Sequence, residues 1–150
     1  MRLRKLPAIV AAICLWLSAA GAEISGTFFA VIVDDVDVSA EWYESVFGLA
    51  VGNRMTEDGR YDIAILVNDF LVVELLELDA AADRPEGMVR GPFKTGFLVD
   101  DLAAFADGLP DDVPPPEILD DDANGLLLLQ LRDPDGYIVQ VMQRKPSPPL

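Results

Sequence analysis

Two separate stretches of this chain recur at one spacing, and no other feature constrains its fold as much. Val33-Asp34-Asp35-Val36 returns as Val99-Asp100-Asp101-Leu102, 66 residues on. The same offset carries Leu71-Val72-Val73-Glu74-Leu75-Leu76-Glu77 onto Tyr137-Ile138-Val139-Gln140-Val141-Met142-Gln143. Repetition of both order and spacing means two copies of one supersecondary unit, each burying the apolar face the other leaves open. The copies occupy residues 24–78 and 92–145, and residues 79–91, rich in Ala, Asp, Pro and Gly, link them.

Each copy reads as strand, helix, then further strands. Thr27 to Val33 is apolar, aromatic and β-branched, as a strand requires. Ser39 caps a helix running through Phe47, with Trp42, Val46 and Phe47 on its apolar side, and Gly48 ends it. Leu49 to Met55, Tyr61 to Val67 and Phe70 to Leu78 are strands, separated by the turn chemistry of Glu57-Asp58-Gly59 and Asn68-Asp69. In the second copy Phe93 to Val99 is a strand and Leu102 to Leu109 a short helix. Residues 110–118, which contain Pro114, Pro115 and Pro116, are at best an edge strand. Leu126 to Leu131 and Tyr137 to Gln143 form a hairpin over Asp133-Pro134-Asp135-Gly136, which has the pattern of a type I turn.

Charge narrows the function. Asp and Glu number 26 against 11 Lys and Arg, a formal net charge of -15. A chain so acidic is a poor partner for phosphate backbones or anionic lipid. There is no His, and Cys14 is the single cysteine, so Ser-His-Asp and Cys-His catalysis and cysteine zinc clusters are excluded. Nine acidic residues and no basic one lie between Asp100 and Asp122, as on a solvated face. Asp120-Asp121-Asp122-Ala123-Asn124-Gly125 fits the first half of a calcium loop. Leu131 stands at the twelfth position and strands flank the segment, so an acidic hairpin turn is expected instead.

Residues 1–22 read as an address. Arg2, Arg4 and Lys5 precede an apolar run from Leu6 to Leu17, and Ala20 and Ala22 stand at the -3 and -1 positions before Glu23. This is the signal-peptide pattern. The run is shorter than the roughly 20 residues a membrane span needs. An uncleaved anchor is the alternative, and a lipoprotein through Cys14 fits less well because bulky Ile13 precedes it. The expectation is export to a bacterial periplasm and no membrane contact once the peptide is removed.

Strand, helix and three strands, twice over, resembles the vicinal oxygen chelate superfamily of glyoxalases, bleomycin-resistance proteins and extradiol dioxygenases. The matching residues are Val33-Asp34-Asp35-Val36, Trp42-Tyr43 and Phe47-Gly48-Leu49, then Phe93-Lys94-Thr95-Gly96-Phe97 with Val99-Asp100-Asp101, and Asp133-Pro134-Asp135-Gly136-Tyr137. The resemblance implies an α+β fold in which two tandem βαβββ modules curl a mixed sheet around a cleft. It makes residues 23–145 one domain and leaves 146–150 as a Pro-rich tail. It also implies frequent dimerisation, so a homodimer is among the expected partners.

In metal-dependent members of that superfamily, one ligand comes from the first and one from the last strand of each module. The positions implied here are Phe28, Glu74, Lys94 and Gln140, and the 66-residue offset pairs them in turn. Glu74 alone is a strong ligand. Gln140 is a neutral oxygen donor, Phe28 cannot ligate, and Lys94 places an ammonium where the ion would sit. No metal and no cofactor is expected from such a set.

Strand geometry describes what stands there instead. Val72, Glu74 and Leu76 share one face of their strand, and Lys94, Gly96 and Leu98 one face of theirs. If both faces line the cleft, Lys94 approaches Glu74, either as a structural pair or as a polar anchor for a small anionic or carbonyl ligand. Gly96 leaves room beside the ammonium. Trp42 and Tyr43 read as core and interface, and Arg54, Tyr61 and Arg90 as candidates for the cleft mouth. The expected function is metal-independent binding of a small molecule, with Phe28, Glu74, Lys94 and Gln140 around it. The alternative is a lyase, isomerase or dioxygenase-type enzyme using Glu74 with a weakly held metal, or Lys94 as a base or Schiff-base nucleophile. A third is an interaction protein whose cleft is filled by its own side chains.

Overall fold

The computed structural model describes residues 28–82 and 94–146. The expected signal peptide, Cys14, Arg90 and most of the linker lie outside the described residues. The first module runs β1 (Phe28–Ile32), α1 (Val36–Phe47), β2 (Ala50–Glu57), β3 (Tyr61–Val67) and β4 (Val72–Leu78). The second runs β5 (Lys94–Leu98), α2 (Leu102–Asp107), β6 (Leu119–Asp121), β7 (Leu126–Arg132) and β8 (Ile138–Arg144). Each module is a four-stranded mixed sheet, ordered β1-β4-β3-β2 in one and β5-β8-β7-β6 in the other. Among the described residues no helix is long and apolar enough to cross a membrane.

The hydrogen bonds repeat at the spacing of the sequence. β1 pairs parallel with β4 in the register Phe28↔Val72, and β5 with β8 in the register Lys94↔Ile138, each residue 66 beyond its counterpart. Val33 N donates to Leu76 O at 3.0 Å, and Val99 N to Met142 O at 2.9 Å. Both helix starts are closed in the same two ways. Asp35 and Asp101 cap them, and a strand side chain accepts from the first helical amide: Val36 N to Glu77 Oε2 at 3.0 Å, Leu102 N to Gln143 Oε1 at 2.9 Å. Free amides at a helix start need such acceptors.

Two expectations about local structure are corrected and a third is borne out. The first helix starts at Val36, not Ser39, because the Asp35 carboxylate accepts from both Asp37 N and Val38 N at 2.9 Å. Ser39 is buried inside the first turns, and its hydroxyl donates to Asp135 Oδ2 at 3.1 Å. Residues 110–118 carry no strand; pairing begins just beyond the prolines, at Leu119, which stands opposite Leu128. The prolines lack the amide that would donate to β7. The calcium-like segment is a turn between β6 and β7 in which Asn124 bonds to Asp121, while the Lys145 ammonium bridges Asp120 and Asp122.

The core shows why the modules stay together. One cluster packs Val36, Ala40 and Tyr43 of α1 on Ala64, Leu66, Val73 and Leu75. The other places Val46, from the same helix, against Leu102, Leu129, Leu131 and Val141 of the second module. Trp42 and Phe47 pack against both clusters. The twelve-residue α1 therefore serves two sheets, whereas the six-residue α2 buries only Leu102.

Candidate functional site

Alternation along the strands sorts the site residues by face. In the first sheet Phe28, Ala30, Glu74, Leu76, Ile63 and Ile65 share the face turned away from α1, since Ala30↔Glu74 and Ile65↔Glu74 are neighbours in register. In the second, Lys94, Gly96, Gln140, Met142 and Gln130 share the corresponding face, with Gly96↔Gln140 and Gln130↔Gln140 in register. The four positions singled out from the sequence thus lie on the helix-free faces.

Their partners differ from the expected ones. The Lys94 ammonium donates to Gln140 Oε1, which also accepts from Gln130 Nε2 at 3.2 Å, while Gln140 Nε2 points to Met142 Sδ at 2.9 Å. Gln140 is only 7% exposed, and Lys94 lies exposed above it. The expected Lys94–Glu74 pair is not formed: among the described residues neither group has an ion-pair partner, and Glu74 takes no side-chain hydrogen bond. The cause is register. Gln140 is the diagonal neighbour of Lys94 on the adjacent strand, with no side chain from Gly96 between them, whereas Glu74 belongs to the other sheet. This donor set does not fit a divalent ion, because an ammonium already occupies the oxygen of Gln140 and Phe28 has nothing to donate. Among the described residues no three His, Cys, Asp or Glu side chains gather as a metal would require.

Between the sheets, the edge strands β1 and β5 meet through side chains. Phe29 and Phe97 have ring centroids 5.7 Å apart, and Phe47 lies 4.8 Å from Phe97. A cleft of about 590 Å³ opens along this seam, and Phe28, Phe29, Phe47, Phe70 and Phe97 are among its walls. Phe70 is 90% exposed, Phe28 70% and Leu98 58%. Phe70 sits on the turn between β3 and β4, held by its amide and that of Leu71 donating to Asn68 Oδ1 at 2.9 Å. Sequence reasoning expected a cleft between the modules but named only Phe28 among these rings, because the phenylalanines are scattered over four elements and meet only in the folded chain.

The far end of the seam is closed. The turn between β7 and β8 docks on α1: Asp34 N and Ser39 Oγ donate to the Asp135 carboxylate, and Tyr43 OH donates to Asp133 Oδ2 at 3.0 Å. Asp133 Oδ1 accepts from Tyr137 N at 2.7 Å, and Gly136 N donates to Asp133 O at 2.9 Å, closing the turn. Burial pushes the Asp133 carboxyl above the usual carboxylate range, although both hydrogen bonds pull it down. Burial, followed by the charge of Asp133, pushes the Tyr43 phenol far above its ordinary value, so it remains a donor. Tyr43 and Trp42 are core and interface, as expected. Arg54 pairs with Asp37 at 2.7 Å, and Tyr61 lies half-buried under the Arg60 guanidinium; nothing places either at the cleft.

Paired βαβββ modules, sharing one helix and facing each other across a seam, define a two-module α+β protein with a cleft between the copies. The chain belongs to the Glyoxalase/Bleomycin resistance protein/Dioxygenase superfamily, whose family model matches residues 26–141. Similar solved structures include a glyoxylase/bleomycin resistance protein/dioxygenase domain from Frankia sp. EAN1pec, with TM-score 0.68 and 21% identity over 84% of this chain and 96% of that one. A glyoxalase family protein from Enterococcus faecalis has TM-score 0.64 and 18% identity over 77% and 94%. The trypanothione-dependent glyoxalase I of Leishmania major has TM-score 0.59 and 20% identity over 77% and 84%. At such identities the likeness is one of fold. No curated protein matches the chain.

Proposed function

We propose that the protein binds a small anionic or carbonyl-bearing molecule between its modules, without a metal, and that it does so after export. The observation that carries the reading is the state of Lys94: an exposed ammonium oriented by a buried neutral amide, with no carboxylate opposite it among the described residues. A cation held in place but not neutralised is a ready anchor for a ligand oxygen. Gln130 supports the anchor by fixing the Gln140 amide from behind.

Native mass spectrometry of the protein and of Lys94→Met tests this. Wild type should retain or take up small carboxylates and carry no stoichiometric transition metal, and chelator should leave its melting temperature unchanged. Loss of about 1.5–3 kcal/mol of binding is expected for Lys94→Met, the worth of a hydrogen bond to a charged group. One tightly held divalent ion per chain would refute the reading. Export rests on the leader pattern of residues 1–22. N-terminal sequencing of natively produced protein should begin at Glu23, and material beginning at Met1 would refute it.

A further inference from the structure

Strands β1 and β5 are the edges on which the two sheets end at the seam, and among the described residues no backbone hydrogen bond joins them. They run in opposite directions. Phe28, at the start of β1, lines the same cleft as Leu98, at the end of β5, while Asp34, just past the end of β1, bonds to Asp135, just before β8, which runs parallel to β5. Successive residues of a strand turn their backbone groups to opposite edges. Val99 N donates to Met142 O, so Phe97 and Val99 face β8, and Gly96 and Leu98 turn their N–H and C=O toward the seam. Both are exposed and both line the phenylalanine cleft. Gly96 brings no side chain, so the backbone of β5 is bare there. Such an uncovered edge is a template for one more strand.

We propose that the cleft takes a short, uncharged, aromatic peptide, which pairs with the edge of β5 at Gly96 and Leu98 and lays its ring among the phenylalanines. Strand addition needs two things, free backbone groups for affinity and a pocket for the side chain, and here they adjoin. Among the described residues no charged side chain lines the cleft, in a chain that is 25% charged, so an uncharged guest loses no hydration of a charge there. Aromatic walls favour an aromatic guest by edge and face contacts. A volume of about 590 Å³ suits one such residue with its flanking amides. Phe70 stands 90% exposed on a turn already fixed by Asn68 Oδ1, so its ring is offered in place. Lys94 begins β5 at the other end of that strand and is no part of the cleft wall, so this site is separate from the one proposed above.

Amide NMR of the isotope-labelled protein, titrated with N-acetyl-L-phenylalaninamide, tests this. In the free protein the Gly96 and Leu98 amides should exchange with solvent faster than those of Phe97 and Val99, and saturating peptide should slow them. N-acetylglycinamide, which lacks the ring, should bind at least about ten-fold more weakly. Methylation of the phenylalanine nitrogen removes one backbone donor and should weaken binding about five-fold. Phe70→Ser should weaken the peptide and leave the melting temperature unchanged. Propanoate, a probe of the Lys94 site, should not compete. Equal affinity of the methylated and parent peptides would overturn the proposal. So would slow exchange of the Gly96 and Leu98 amides in the free protein, or the absence of saturable binding; neither bears on Lys94. Displacement by propanoate would put the peptide at Lys94 and overturn it as well.

Discussion

Asp133 shows how one side chain joins two modules. It is 4% exposed, yet its two oxygens are both used, by Tyr43 OH from α1 and by Tyr137 N from its own turn. Tyr43→Phe removes the donor and leaves a buried acceptor short of a partner, so a loss of about 1–3 kcal/mol is expected in urea unfolding. The pH dependence has a definite sign. Because burial holds the folded-state carboxyl above its unfolded value, the native protein binds more protons than the unfolded one in that range. The contribution of Asp133 to stability is therefore fully present below the ordinary carboxylate range and is lost as pH rises through its folded value. Asp133→Asn cannot ionise. The stability difference between wild type and Asp133→Asn should move in favour of wild type as pH is lowered, and a flat difference would reject the assignment.

The elements were legible where a local pattern decides them. Strands β3, β4, β7 and β8 follow from apolar and β-branched runs bounded by turn residues. The first helix was misplaced at its start because Ser39 and Asp35 are both good caps by residue type. Only the fold reveals that Glu77 comes across from β4 to take the Val36 amide, which sets the start at Val36. Asp35→Ala should cost about 1 kcal/mol in the same unfolding measurement. Ser39→Ala should act through the lost contact with Asp135 rather than through helix content, so the two variants differ in what circular dichroism reports. At the site, sharing of a strand face was legible for Lys94 and Gly96. The partner of Lys94 was not, because spacing along the chain says nothing of how far one sheet stands from the other.

At the scale of the molecule, the duplication is unequal. Both sheets follow one register, but the second leans on Val46, Trp42 and Phe47, side chains borrowed from the first. Residues 94–146 made alone should therefore lack a cooperative thermal transition, and a sharp one would show that α2 suffices. The same asymmetry sets how the halves can move. One end of the seam is stapled by three hydrogen bonds from α1 and its approach to a single turn, whereas among the described residues the rest of it is met by tilted ring contacts. Rings slide and part at little cost, whereas a buried carboxylate does not leave its donors cheaply. The protein is thus built like a clothes-peg, with its spring at Asp133 and its jaws at Phe70. Any parting of the jaws would turn the two sheets about that pivot.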